Sequence, residues 1–166
     1  MSPKIFFFAF FLAMVSSSHQ ASVLVTQSCQ KTLYKDFCLS ALGSVQATDL
    51  QSLTKAALNI ESSKGTGILK LTADLIKKSS DPVLKSALTD CSEDYDNALD
   101  EIKDSLRAIE AKSYGDVKTW VSAAMTYSGS CEDGFKEKPG LKSPLTTVNT
   151  EFNQLCSIIL TFTNLL

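Results

Sequence analysis

The chain has 166 residues, 44% of them hydrophobic, and 16 basic against 18 acidic side chains leave a formal charge of -2. Those values fit one globular core. With no Lys/Arg cluster along the chain, they argue against a nucleic-acid partner.

Lys4 gives the chain a positive start, Ile5–Val15 is uncharged and apolar, and Ser16–Ser22 is small and polar. Residues 1–21 therefore read as a secretory signal, with cleavage expected after Ser18 or Ala21. The apolar run is shorter than the roughly 20 residues a membrane helix needs. A released, soluble helical domain over 22–166 is the expectation. The five cysteines, Cys29, Cys38, Cys91, Cys131 and Cys156, would then meet an oxidising compartment. Two disulfides and one free thiol follow. Cys29 and Cys38 enclose a short segment, whereas Cys131 can reach either Cys91 or Cys156, and spacing alone leaves that choice open.

Two short helical pieces come first, around Val23–Gln30 and Lys35–Leu42, too brief to be stable alone. Thr48 and Gln51 read as a capping box opening the first long helix, with apolar positions Leu50, Leu53, Ala57, Ile60, Leu71 and Leu75. Gly65 and Gly67 each cost about 1 kcal/mol there relative to Ala, which predicts a kink. Asp81 as cap and Pro82 in the first turn open the second helix. Its stripe of Leu84, Leu88, Cys91, Tyr95, Ala98, Ile102 and Ile109 steps by four and three, skipping Ser105. Its other face is acidic through Glu93, Asp96, Asp100 and Asp104, with Asp94 and Glu101 beside them.

The turn Lys112, Ser113, Tyr114, Gly115 ends that helix, and Asp116 caps a third with inward positions Val117, Trp120, Ala124, Tyr127, Cys131 and Phe135. Pro139 and Gly140 stop it. Ser143 and Pro144 open the last helix, whose stripe Leu145, Val148, Phe152, Leu155, Ile159, Phe162 and Leu166 runs to the final residue. No alternating segment competes, so the expected fold is all-α, an up-down-up-down four-helix bundle with a short N-terminal helical hairpin.

Catalytic signatures are missing. The single histidine, His19, lies in the signal region, so no Ser-His or Cys-His pair can be assembled. Metal spacings and a phosphate-binding glycine loop are absent, and neither a metal nor a cofactor is expected. The acids of the second helix lie in a row rather than across a cleft, as a solvated face would. Cys156 sits beside the core stripe and reads as a buried, inert thiol. An enzyme is not expected.

The third helix carries no charge from Thr119 to Cys131. Its outer face, Thr119, Ser122, Ala123, Thr126 and Ser130, is small and weakly hydrated, the composition of an interface centre. The competing reading is that the N-terminal hairpin folds back over it. Glu93 and Asp96 would act as rim charges. A different class of function, a helical carrier of an apolar ligand lined by Trp120, Phe135, Phe152 and Phe162, competes with the plainer reading that these aromatics fill a core.

Taken together, Cys29 and Cys38 around a short hairpin, the run Cys91, Ser92, Glu93, Asp94, Tyr95 with Ala98, the run Ser122, Ala123, Ala124, the run Cys131, Glu132, Asp133, Gly134, Phe135, and the terminal Asn164, Leu165, Leu166 resemble the plant family of pectin methylesterase and invertase inhibitors. The resemblance implies disulfides Cys29–Cys38 and Cys91–Cys131 with Cys156 free. It also implies a stoichiometric inhibitor in the apoplast, one bundle face covering the substrate cleft of its target. Invertase inhibitors of the cell-wall type carry Pro-Lys-Phe near the turn where this chain has Lys112 to Asp116. The segments Cys91–Tyr95 and Cys131–Phe135 look more like the pectin methylesterase branch. That enzyme is the expected partner, with invertase as the alternative.

Overall fold

A computed structural model describes residues 22–166; residues 1–21, where the sequence predicts a signal and which include His19, lie outside the described residues. Six helices follow in order: α1 (Val23–Cys29), α2 (Lys35–Leu42), α3 (Leu50–Lys78), α4 (Pro82–Glu110), α5 (Tyr114–Lys136) and α6 (Thr146–Asn164). Helices α3 to α6 each pack on the next, and α6 returns against α3 to close a four-membered ring. This is the expected all-α bundle. Among the described residues there is no strand.

Helix starts follow local chemistry. Ser22 accepts from the Val25 amide to begin α1, and Asp81 accepts from the Val83 and Leu84 amides ahead of Pro82. At α3 the cap is Asp49 rather than Thr48. Its carboxylate accepts from the Ser52 amide at 2.7 Å while the Ser52 hydroxyl accepts from the Asp49 amide, so the box closes one residue later with Ser52 in place of Gln51. α5 begins at Tyr114, capped by Ser113 without a side-chain bond, and Asp116 lies inside its first turn. The preceding turn is made by Lys112 at φ 57°, not by Gly115. α6 begins at Thr146 and ends at Asn164, so Leu166 lies beyond the helix and is exposed.

The core pattern differs from the sequence expectation in two helices. In α3 the inward residues after Ala57 and Leu58 are Glu61, Gly65, Ile68 and Thr72, whereas Leu71 faces solvent. No break interrupts the helix at the glycines. A β-carbon on Gly65 would stand 2.8 Å from Leu99 Cδ2 and 3.3 Å from Phe152 Cε2, while one on Gly67 would meet nothing. Gly65 thus lets α4 and α6 approach α3 closely. In α5 the buried set is Val117, Val121, Ala124, Ser128, Cys131 and Phe135, and Trp120 and Tyr127 are only half-buried. Ser105 of α4 is buried too, which makes that helix's stripe continuous.

Two disulfides fasten the fold. Cys29–Cys38 ties α1 to α2, and Cys91–Cys131 bolts α4 to α5 at a Cα separation of 4.5 Å. The α4–α5 seam is the most extensive of the four, and the small buried residues Ala87, Ala98, Ala108, Ala124 and Ser128 permit that closeness. Beside the bridge the Tyr95 hydroxyl donates to Asn149 Oδ1 at 2.8 Å, and Asn149 Nδ2 donates to Glu132 Oε2 at 2.8 Å, joining α4, α5 and α6 through one polar chain. Cys156 is free and fully buried.

Candidate partner-binding face

The outer strip of α5 follows from its spacing. Thr119, Ala123, Thr126 and Ser130 recur at four, three and four, which puts them on one side of a helix. Thr119, Ser122, Thr126 and Ser130 are exposed, and Ala123 is half-buried. The α1–α2 hairpin leans on α3 and α6 instead, so it leaves this strip open.

The hydroxyls of the strip are partly spent on their own helix. Thr119 Oγ1 donates to the Gly115 carbonyl at 3.1 Å, and Thr126 Oγ1 donates to the Ser122 carbonyl at 3.0 Å. Back-bonding of this kind turns the threonine methyl outward and uses the hydroxyl proton. The strip carries no charged side chain, and two of its four hydroxyls are already bonded, which lowers the cost of desolvating it against another protein.

Glu93 and Asp96 are exposed on the neighbouring α4. Arg107 pairs with Asp104, and Lys138 approaches Asp90 at 3.5 Å. Partial burial, then the charges of Asp90 and Glu93, hold the Asp94 carboxyl above its ordinary range. Burial, then Asp104 and Asp100, do the same to Glu101. Asp94 and Glu101 are thus raised by burial first and by like charges of the same row second.

On α5, Trp120 and Tyr127, which the sequence pattern places inward, are only half-buried at the edge of the core. Trp120 borders a shallow depression with Asp104, Arg107, Ala108 and Asp116, at the junction of α4 and α5. Half-exposed aromatics next to an uncharged strip are the side chains that anchor protein interfaces. The observed set is legible in the spacing, because Val117, Val121, Ala124, Ser128, Cys131 and Phe135 also step by four and three; it differs from the expected stripe only in Val121 for Trp120 and Ser128 for Tyr127.

Of the four aromatics considered for a ligand site, Phe135, Phe152 and Phe162 are fully buried in the core, and the Phe152 ring meets Tyr95 edge-on at 5.2 Å. They fill the bundle. No group of three or more His, Cys, Asp or Glu side chains among the described residues is placed to hold a metal. No helix among them is long and apolar enough to cross a membrane.

Comparison with known proteins agrees with this architecture. The family model described as plant invertase/pectin methylesterase inhibitor matches residues 23–162. A Platanus orientalis protein provisionally named an invertase inhibitor is 34% identical over 86% of this chain and 89% of its own length. An Actinidia deliciosa protein named pectinesterase inhibitor is 30% identical over 86% of this chain and 79% of its own. The crystal structure of a mutant form of a pectin methylesterase inhibitor from Arabidopsis superposes with a TM-score of 0.77 at 27% identity, covering 87% of this chain and 98% of that one. The chain belongs to the plant invertase/pectin methylesterase inhibitor family, a family of proteins that inhibit enzymes.

Proposed function

We propose that this chain is a secreted inhibitor of pectin methylesterase that performs no catalysis of its own and works in the apoplast by covering the substrate cleft of its target in a one-to-one complex. The observation that carries the reading is the open, uncharged strip of α5 on a bundle of an inhibitor family. The strip, Thr119, Ser122, Ala123, Thr126 and Ser130, forms the centre of the contact, and Glu93 and Asp96 lie at its rim. The runs Cys91–Tyr95 and Cys131–Phe135 favour pectin methylesterase as target. Invertase is the second reading, and the Platanus relative at 34% identity favours it.

One inhibition panel tests both. The purified mature chain is titrated against pectin methylesterases and cell-wall and vacuolar invertases at acidic and neutral pH. Loss of activity near equimolar dose against a pectin methylesterase is expected; failure against the whole panel removes the proposal, and activity against invertase alone transfers it. Ala123→Arg is expected to weaken inhibition at least tenfold by placing a bulky charge in the contact, which is about 1.4 kcal/mol or more, with the circular dichroism spectrum unchanged. Undiminished inhibition would exclude the strip.

A further inference from the structure

A carboxyl group is sealed inside the seam between α3 and α6. Glu61 is fully buried. The Cys156 thiol of α6 donates to its Oε1 across 3.5 Å, and its Oε2 meets no hydrogen-bonding group of the described residues. The nearest cation is engaged elsewhere: Lys64, three residues on, pairs with Glu151 of α6 at 2.7 Å and lies 5.6 Å from the centre of the Phe37 ring of α2.

The other groups that bear on this interior are all acids or weak acids. From α4, Tyr95 donates its hydroxyl to Asn149 and not to Glu61. From α5, Glu132 reaches the same cluster through Asn149, and Asp94 of α4 adds another negative charge near Tyr95. An ionised Glu61 would be an unpaired charge in a low-dielectric interior, which is strongly unfavourable. Burial accordingly pushes its carboxyl well above the ordinary range, opposed by the Cys156 hydrogen bond and then by the charge of Lys64. The Cys156 thiol is raised by burial first and by Glu61 second.

We propose that Glu61 is a proton-dependent lock on the α3–α6 seam, in which the neutral acid keeps the bundle closed and rising pH progressively weakens that closure. Below the ordinary carboxylic range, folded and unfolded chains both hold the proton, so the contribution to stability is complete. Above that range the unfolded chain releases the proton and the folded chain keeps it. The folding constant then falls about tenfold per pH unit until the folded-state value is reached. Cys156 adds a similar effect only above the ordinary thiol range of about 8.5, and Asp94 and Glu101, also raised, act equally in a variant that lacks only the Glu61 carboxyl, so between about pH 5 and pH 7 the difference from such a variant reports Glu61.

The test is denaturant unfolding of the oxidised chain at pH steps from 5 to 7, compared with Glu61→Gln, which keeps the shape and cannot ionise. The wild-type folding constant is expected to fall relative to the variant by about tenfold per pH unit. Parallel profiles would overturn the proposal. A second measurement needs no variant: in the native chain with carbon-13-labelled glutamate, the Glu61 carboxyl signal is expected to stay in its protonated position at pH 7. Finding every glutamate carboxyl of the folded chain ionised at that pH would overturn it equally.

Discussion

Two glycines only two residues apart, and so on opposite sides of α3, show how far a single β-carbon depends on what stands opposite it. Gly65 faces Leu99 and Phe152, while Gly67 faces open space. Gly67→Ala is expected to stabilise the chain by about 0.5–1 kcal/mol through helix propensity. Gly65→Ala gains the same propensity but forces Leu99 to move, and a net loss of about 1 kcal/mol is expected from overpacking. Urea midpoints of the two variants check this, and equal shifts of the same sign would contradict the packing account. Neither outcome was legible in the sequence, which gave both glycines the same meaning. Glu61 was hidden for a related reason: a charged residue at an inward position breaks an apolar stripe, and reading only the apolar residues steps over it to Leu71, which faces solvent.

At the scale of the helix, sequence pattern succeeded where local chemistry decides and failed where neighbours decide. Asp81 and Pro82 begin α4 as expected because capping bonds reach only two or three residues. The inward register of α5 depends instead on how near α4 comes, and a helix held at a Cα separation of 4.5 Å by Cys91–Cys131 buries Ser128 in preference to Tyr127. The acidic face of α4 carries its own expectation. As rim charges in the proposed complex, Glu93 and Asp96 steer encounter more than they hold it. The double change Glu93→Gln with Asp96→Asn is expected to slow association several-fold and flatten its salt dependence, leaving dissociation nearly unchanged. Stopped-flow or surface-binding kinetics at two ionic strengths check it, and an effect confined to the dissociation rate would move these acids to the centre of the contact.

The whole molecule is held by two bridges of unequal reach. Cys91–Cys131 closes a separation of 40 residues and Cys29–Cys38 one of 9. On the chain-entropy account, replacing the longer bridge by two alanines costs about 4 kcal/mol and the shorter about 3. The first loss is expected in the global unfolding midpoint. Only part of the second should appear there, because the hairpin leans on the bundle from outside. Denaturant unfolding with and without each bridge, followed by Trp120 fluorescence, separates the two.

The ring formed when α6 returns to α3 has a consequence for how the molecule is made. Phe152, Leu155, Ile159 and Phe162, the side chains that plug the centre, all belong to the final stave of the barrel. While a ribosome is still elongating through that region, the three earlier staves stand with a greasy gash down one side, and Cys156 is not yet sheltered. A message cut short before Phe162 would therefore yield no smaller inhibitor, only a sticky remnant for quality control to clear.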